Sequence, residues 1–256
     1  MISLTNINKY YCGTSGGGEV VALRNVSFSV KDGQVASVVG PSGCGKTTLL
    51  NIIAGVDDNY RGEISFTSQD RGRVGYMFQT PSLLPWRTVW DNVIVGCELA
   101  GRPKDVYEPL AEELLARYGL TDFARHYPNT LSQGMQQRVS LIRLVLFDAQ
   151  LWLLDEPFSR LDSLLRRELY QDLLTLVTEQ RITTILVTHD LEEAITFGDK
   201  VILLSHRPGT VRFELEIPVS REERIDSSRY LAQQLYPYLE LLWKNFVNSK
   251  IAPQSV

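Results

Sequence analysis

The segment GPSGCGKT at residues 40–47 constrains the fold of this chain more than any other stretch. It has the spacing G-x-x-x-x-G-K-[ST], it follows the short apolar run QVASVVG, and a helix is predicted to begin at about Thr47. The apolar run is typical of a strand buried in a parallel sheet. Strand, glycine-rich loop and helix in this order predict an α/β fold whose loop wraps a phosphate group.

The residues of this loop have distinct predicted roles. Gly40, Gly43 and Gly45 let backbone N–H groups point inward around a phosphate without clashes from Cβ atoms. Lys46 brings a mobile positive charge to the β- and γ-phosphates, and Thr47 offers its hydroxyl to Mg²⁺. The predicted nucleotide-binding residues of the loop are Gly40, Pro41, Ser42, Gly43, Cys44, Gly45, Lys46, Thr47 and Thr48.

Cys44 within the loop has two interpretations. A helix N-terminus can lower the pKa of a thiol, which would make the loop sensitive to oxidation. A tolerated small residue is the favoured interpretation, because thiol reactivity also requires exposure. The chain has two other cysteines, Cys12 and Cys97, and the three are too few and too scattered for a disulfide framework or a zinc site.

Two acids follow the apolar strand pattern LWLL at residues 151–154. An acid at the carboxyl end of a parallel strand beside a phosphate loop can hold Mg²⁺ through water, and we assign this role to Asp155. Glu156 then faces the space beyond the γ-phosphate, where it can polarise the attacking water. A solvated acidic strand end is the alternative, which the phosphate loop upstream makes less favourable.

Two further polar residues end predicted strands. His189 follows ILVT, and the carboxyl edge of such a sheet is where ligands bind, so a contact with the γ-phosphate is expected. Gln79 ends YMFQ in the same way, and its amide can reach Mg²⁺ or the water. A satisfied strand-end histidine and a plain boundary glutamine are the alternatives.

The order of patterns along the chain predicts its architecture. ISLTNI and VALRNVSFSV alternate apolar and polar residues as half-buried antiparallel strands do. Residues 81–147 are mostly helical in pattern, with Leu110, Leu114, Leu115 and Tyr118 on one face and Gly119 at a helix stop. Strand, helix and strand then return at 151–205, which predicts right-handed βαβ units and a parallel sheet. A last helical segment, 227–249, is expected to break at Pro237 and is partly amphipathic through Leu231, Leu235, Leu239, Leu242 and Phe246.

Composition excludes several classes of protein. The chain has 256 residues, 44% of them hydrophobic and 22% charged, which indicates a packed globular protein. The formal charge is −4 and no block of Lys and Arg stands out, which argues against a nucleic-acid surface. No apolar run approaches the roughly 18–20 residues of a membrane helix, so we expect any membrane role to come through a partner.

The segment LSQGMQQR at residues 131–138 has the pattern of a helix start. The first N–H groups of a helix have no internal partner and the helix dipole favours an anion there, so Ser132 and the N–H groups around Gly134 are candidates for anion binding. An ordinary helix capped by Ser132, with no ligand, is the alternative.

The chain resembles the ATP-binding subunit of an ABC transporter over roughly residues 3–217, in an ordered set of motifs: GPSGCGKTT, Gln79, LSQGMQQR, LWLLDEP, FSRLD and His189. FQTPSLLPWRTVWDNV and LLSHRPGTV further resemble the nitrate, sulfonate and taurine group of bacterial importers. The resemblance implies a P-loop ATPase fold with a parallel core sheet, an N-terminal antiparallel β subdomain and an inserted helical lobe. The implied domains are an ABC ATPase domain at 1–217, with the lobe at 81–147, and a C-terminal helical tail at 218–256.

The resemblance also implies ATP and Mg²⁺ as cofactors and a dimer of two ATPase subunits packed head to tail. Ser132 and Gly134 would then grip the γ-phosphate of the ATP that the partner's phosphate loop holds. Tyr11, or alternatively Tyr10, would stack on the adenine. The implied activity is ATP hydrolysis that powers import of a small solute, and the solute itself cannot be read from this chain.

The other implied partners are transmembrane permease subunits, with a substrate-binding protein contacted only indirectly and no nucleic acid. The subunit would lie at the cytoplasmic face of the inner membrane as a peripheral protein. Leu83, Leu84, Pro85 and Trp86 follow Gln79 and would dock a short helix of the permease. Packing of these residues within the lobe is the alternative.

Two departures from the family pattern bear on activity. Gln133 stands where the signature usually has glycine, and Arg160 in FSRLD replaces a small residue. They predict either a slower ATPase or a heterodimer with a second, different ATPase subunit, and a third possibility is an interaction protein without activity. The rival function is a soluble ABC ATPase that acts on nucleic acid or ribosomes. Such proteins usually carry a coiled-coil insertion or two tandem cassettes, and this chain has neither.

Overall fold

The computed structural model describes residues 1–12, 18–66, 73–159, 163–225 and 229–250. The chain forms two compact units. The first unit consists of Met1–Gly72 and Gln171–Val256, and the second consists of Arg73–Tyr170. Among the described residues, no helix combines the length and the apolar character needed to cross a bilayer.

An antiparallel sheet of three strands forms the N-terminal part of the first unit. β1 (Ile2–Tyr11) lies between β2 (Val20–Val30) and β4 (Arg61–Phe66). Alternation places Ile2, Leu4 and other apolar residues of β1 on the buried face, which confirms the two predicted strands. β4 was not predicted, because its residues RGEISF are mostly exposed and carry little apolar periodicity.

Parallel strands form the core of the first unit. β3 (Val35–Val39) pairs in parallel with β7 (Thr183–Thr188) on one side and with β8 (Lys200–Leu204) on the other. β9 (Val211–Glu216) adds to β8 in the antiparallel direction. Every residue of β3 and β8 is buried, which is why their sequences are nearly continuous apolar runs.

The described residues of this unit also form α1 (Lys46–Ile53), α6 (Leu191–Phe197), α7 (Arg221–Ile225) and α8 (Arg229–Lys250). The predicted break at Pro237 is wrong, because α8 continues through this residue. Leu235, Leu242 and Phe246 of α8 are buried in a core with Leu191 of α6. Their burial stabilises the helix by more than the hydrogen bond that Pro237 removes. The predicted first residue of the last helical segment, residue 227, lies outside the described residues.

The second unit carries two parallel strands and a set of helices. β5 (Val74–Met77) pairs with β6 (Leu151–Asp155). The helices are α2 (Val89–Leu99), α3 (Lys104–Arg117), α4 (Gln133–Leu146) and α5 (Ser163–Glu179), which continues into the first unit, together with short 3₁₀ helices at Thr121–Phe123 and Pro128–Thr130. The mostly helical pattern predicted for residues 81–147 is confirmed by α2, α3, α4 and the two 3₁₀ helices.

The buried face of α3 differs in part from the predicted one. Leu114, Leu115 and Tyr118 are buried as expected, whereas Leu110 is 37% exposed. Tyr107 and Ala111 complete the buried face instead. Positions 107, 111, 114 and 118 follow the i, i+4, i+7, i+11 stripe of a helix, and position 110 lies at its edge. Gly119 has φ +65°, a left-handed conformation that ends the helix as predicted.

Candidate nucleotide-binding site

The phosphate loop connects β3 to α1 in the first unit. Gly43 has φ +74° and Gly45 has φ +105°, a conformation that residues with a Cβ rarely adopt. A Cβ at Gly40 would lie 2.8 Å from Cys44 Sγ. No side chain caps the start of α1, whose N-cap residue is Gly45. The loop therefore has the curvature and the helix N-terminus that a phosphate group requires.

Lys46 is held inside this loop. Its Nζ donates to Gly40 O at 2.8 Å and to Pro41 O at 3.2 Å, and the residue is 7% exposed. A buried ammonium group is costly unless it is hydrogen-bonded, and here two carbonyl oxygens of the loop accept from it. The positive charge is thus fixed at the loop, while Thr47 beside it is exposed.

A turn from a distant part of the chain supports the loop from behind. Gly209 N donates to Ala22 O at 2.9 Å, and Arg24 N donates to Gly209 O at 2.9 Å. A Cβ at Gly209 would lie 2.2 Å from Cys44 O, and one at Gly45 would lie 2.6 Å from Leu23 Cδ2. The sequence pattern, in which RPGT is a turn signal, did not reveal this supporting role, since only the close packing requires glycine there.

Cys44 is fully buried. Burial raises the pKa of its thiol, and the positive charge of Lys46 offsets this only in part. A raised pKa and no exposure both reduce thiol reactivity, which supports the interpretation of Cys44 as a packing residue.

Tyr11 lies at the end of β1, near the helix that follows the loop. Its hydroxyl is 3.3 Å from Thr48 Oγ1, Lys9 Nζ lies 4.8 Å from the ring centroid, and the residue is 40% exposed. Tyr10, the alternative, is half-buried and lies under the guanidinium group of Arg61 at 5.6 Å. Tyr11 therefore presents the more accessible ring for stacking.

His189 follows the last residue of β7 and is exposed, as predicted for a residue at the carboxyl edge of parallel strands. The next residue, Asp190, is the N-cap of α6, and its Oδ1 accepts from Glu192 N at 2.9 Å and from Glu193 N at 3.2 Å. This cap fixes the backbone directly after His189.

In the second unit, β6 brings two predicted acids to one strand end. Asp155 is its last residue and is 3% exposed. Glu156 follows with φ +46°, an uncommon backbone conformation for a residue with a side chain. Gln79 Nε2 donates to Glu156 Oε2 at 3.0 Å, so the structure brings together two residues that are far apart in the sequence.

The acidic end of β6 affects the pKa of Tyr76 on β5. Burial and then the charge of Asp155 raise the pKa of Tyr76 well above its ordinary value. The phenol therefore stays neutral at physiological pH. Its ring stacks on the ring of Phe78, the residue before Gln79, with centroids 4.0 Å apart.

Gln137 is a residue that sequence reasoning missed. It is 2% exposed, and its Nε2 donates to Pro157 O at 2.6 Å, which connects α4 to the turn after Glu156. Ser159 Oγ donates to Glu156 O at 3.0 Å within the same turn. The second glutamine of MQQR was the only available signal, and helical spacing alone does not reveal its partner. Arg160 lies outside the described residues.

The segment LSQGM begins a helix as predicted. Ser132 is the N-cap of α4, and its Oγ accepts from Met135 N at 3.3 Å. Ser132 and Gln133 are exposed, and Gly134 is half-buried. The first turn carries no acidic residue, so no carboxylate of the helix occupies its N-terminus.

The segment after Gln79 is held in place from beneath and exposes an aromatic residue. Asn92 is fully buried, accepts from Leu84 N at 2.7 Å and donates to Leu84 O at 3.1 Å. Arg143 donates to Pro81 O at 2.9 Å, and burial lowers the pKa of its guanidinium. Trp86 is 72% exposed. It therefore does not pack in the core of the second unit.

A buried parallel strand, a glycine-rich phosphate loop and a helix define a P-loop NTPase. The family model described as ABC transporter matches residues 23–159. The chain belongs to the ABC transporter family, and it is an ABC ATPase.

Similar proteins and a similar solved structure support this assignment to the family. An "Aliphatic sulfonates import ATP-binding protein SsuB 2" from Burkholderia cenocepacia is 41% identical over 216 residues, 82% of this chain and 78% of the relative. An SsuB protein of Bacillus cereus is 34% identical over 246 residues, 93% of this chain and 96% of the relative. The dimeric structure of the ABC transporter cassette MJ0796 has a TM-score of 0.74 at 33% identity and covers 86% of this chain and 100% of its own.

Proposed function

We propose that this chain hydrolyses ATP to power the import of a small solute through a separate permease at the cytoplasmic face of the inner membrane. The buried ammonium group of Lys46 inside a glycine-rich loop is the observation that carries the proposal. The SsuB relatives support a sulfonate or a similar oxyanion as the solute. We further propose an ABC ATPase domain at 1–217, with a helical lobe at 81–147, and a tail at 218–256.

The donor set fits Mg²⁺. A hydroxyl, an amide oxygen and a carboxylate are hard oxygen ligands, which we assign to Thr47, Gln79 and Asp155. The Gln79 amide nitrogen donates to Glu156, and this orientation leaves the amide oxygen as an acceptor for a cation. When bound, Mg²⁺ would neutralise charge on the phosphate oxygens.

Residues of the chain then account for the chemistry. Glu156 accepts a proton from the attacking water, and its hydrogen bond to Gln79 orients the carboxylate. Lys46 and His189 stabilise the charge that develops on the γ-phosphate. Gly40, Pro41, Ser42, Gly43, Cys44, Gly45 and Thr48 supply the backbone that surrounds the phosphates, and Tyr11 stacks on the adenine.

We propose that two copies of the chain complete each other's sites. The exposed start of α4, with Ser132 and Gly134, binds the γ-phosphate of the ATP in the partner's loop. A 33% identical ABC transporter cassette is dimeric, which supports this arrangement. Gln133 is exposed and keeps its backbone N–H for the phosphate.

Substitution of Glu156 by Gln tests the chemistry and the dimer together. We expect ATP turnover to fall about 100- to 10,000-fold while ATP binding persists, because the general base is lost. ATP should then convert the variant from monomer to dimer in size-exclusion chromatography with light scattering. Glu112→Gln, at an exposed position of α3, serves as the control and should keep full turnover. Undiminished turnover in the Glu156 variant rules out its assignment as the base.

The exposed Trp86 is proposed to dock a helix of the permease. Replacing Trp86 by Glu should abolish solute-stimulated ATP hydrolysis in the assembled complex, because a charge enters an apolar contact. ATP binding by the isolated chain should stay unchanged, since the site residues are intact. A complex of the variant that assembles and transports at the normal rate would remove Trp86 from the docking surface.

A further inference from the structure

A cavity of about 650 Å³ opens between α6 and α8 in the first unit. Its volume is within the range of small-molecule binding sites. None of the phosphate-loop residues lines it, although His189 does. It is therefore a separate space that shares one residue with the proposed ATP site.

Aromatic side chains of α8 form the wall of this cavity. Tyr236, Trp243 and Phe246 line it, and their spacing places them on neighbouring positions of one helix face. Tyr236 is 63% exposed and Trp243 is 57% exposed, while the rings of Trp243 and Phe246 stack with centroids 6.2 Å apart. Phe246 belongs with Leu235 and Leu242 to the core that holds α8, whereas the rings of Tyr236 and Trp243 are exposed and the packing of α8 does not explain them.

Carboxylates surround the aromatic wall. Asp190, Glu192 and Glu240 line the cavity. Asp190 caps α6 through Oδ1 alone, and Glu192 is exposed. Glu240 pairs with Lys244 at 2.8 Å, but both side chains are more than half exposed, and such surface pairs are weak.

The charges around the cavity favour a cation. Among the described residues that line the cavity or pair with its carboxylates, the basic groups are His189, in the lining, and Lys244, next to Glu240. The faces of aromatic rings attract cations and repel anions, and Trp does so most strongly. An acidic rim and an aromatic wall thus complement the same kind of ligand, one with a positive head group and an apolar body.

We propose that this cavity binds an organic cation, an ammonium or guanidinium ion joined to an aromatic or aliphatic body, and that the bound cation alters ATP turnover. The binding of the cation is inferred from the lining of the cavity and does not depend on the proposed function. The effect on turnover rests on the proposed function, because it acts through His189 at the end of β7.

A series of three probes with one phenyl body tests the binding claim. We would titrate the nucleotide-free full chain with 2-phenylethylammonium, 2-phenylethanol and 3-phenylpropanoate and follow ligand signals by saturation-transfer NMR. The ammonium ion should bind about fivefold more tightly than the alcohol, and the carboxylate should not bind. Equal affinity for the ammonium ion and the alcohol overturns the proposal.

Matched variants locate the site. Trp243→Ala should weaken ammonium binding about fivefold or more, whereas Trp86→Ala, which removes an exposed tryptophan of the second unit, should not. Glu192→Gln should weaken ammonium binding while leaving binding of the alcohol unchanged, whereas Glu222→Gln, at an exposed position of α7, should change neither. An equal loss in a variant and its control contradicts the assigned site.

The turnover claim has its own measurement. Saturating 2-phenylethylammonium should change the ATP turnover of the unmodified chain at least about twofold and leave that of Trp243→Ala unchanged. If the ammonium ion binds without changing turnover, the regulatory claim is wrong. If the unmodified chain has no turnover without the probe, the proposed function fails instead, so the two failures are distinguishable.

Discussion

Two helices of this chain begin at glycine-containing segments, and the two starts differ in how complete they are. At α1 the N-cap is Gly45 with φ +105°, no side chain caps the helix, and Lys46 is buried against carbonyl oxygens of the loop. At α4 the N-cap is Ser132, which caps its own helix and is exposed. The start of α1 thus has the shape and charge to bind an anion, whereas the start of α4 is an ordinary helix N-terminus without a fixed positive side chain.

The difference teaches which part of a nucleotide site one chain can supply. Neither helix has an acidic residue in its first turn, so both dipoles favour an anion. Only α1 adds curvature and a buried charge. The start of α4 gains a comparable role in our proposal only when a second copy brings a phosphate to it.

The largest expected effect comes from removing the charge that distinguishes α1. Lys46→Ala should reduce ATP turnover about 100-fold or more, because a positive group at the γ-phosphate is lost. Steady-state phosphate release measures this. Lys31→Ala, at an exposed position of the same unit, is the control and should retain turnover. Similar rates in both variants would show that the buried charge of Lys46 does not contribute to ATP turnover.

The glycine conformations that curve the loop should affect the free energy of unfolding. Gly45→Ala is expected to lower the free energy of unfolding by about 3 kcal/mol, because a Cβ combines backbone strain with an approach of 2.6 Å to Leu23 Cδ2. Gly55→Ala has a similar positive φ of +73° but open space around the Cβ. It should cost only about 1 kcal/mol in urea unfolding. Equal costs would show that packing behind the loop contributes nothing.

Thiol labelling compares the accessibility of the two helix starts with the smallest perturbation. In a Cys12→Ser background, which removes the exposed cysteine, maleimide at pH 8 should react slowly because Cys44 and Cys97 are buried. Burial raises the pKa of both thiols and leaves less thiolate at this pH. Adding Ser132→Cys should increase the labelling rate about tenfold. Rapid labelling of the background chain would contradict a closed phosphate loop.

The sequence predicted the elements that short-range interactions determine. A buried strand, three glycines and a lysine fix β3, the loop and α1 through short-range sterics, and the cap of α4 is a matter of residues 132–135. Long-range packing escaped prediction. The support of Cys44 by Gly209 and the bond from Gln79 to Glu156 join residues whose proximity depends on the folded sheet.

Tertiary burial also overrode local signals in both directions. Pro237 predicts a broken helix, but the burial of Leu235 and Leu242 maintains α8 across it. RGEISF carries little strand signal, yet pairing with β1 makes it β4. In each case a neighbouring element decided the structure, and a single-segment pattern does not contain that neighbour.

A mixture of Lys46→Ala and Ser132→Ala, two variants that we expect to be inactive when alone, tests whether two copies of the chain complete each other's sites. In a head-to-tail dimer of Lys46→Ala with Ser132→Ala, one site takes its loop from the Ser132 variant and its α4 from the Lys46 variant, and it is intact. We expect an equimolar mixture to recover about a quarter of the normal ATP turnover, because half of the dimers are mixed and each of these has one intact site. A mixture that is no more active than its separate components would show that no site is shared between two copies of the chain.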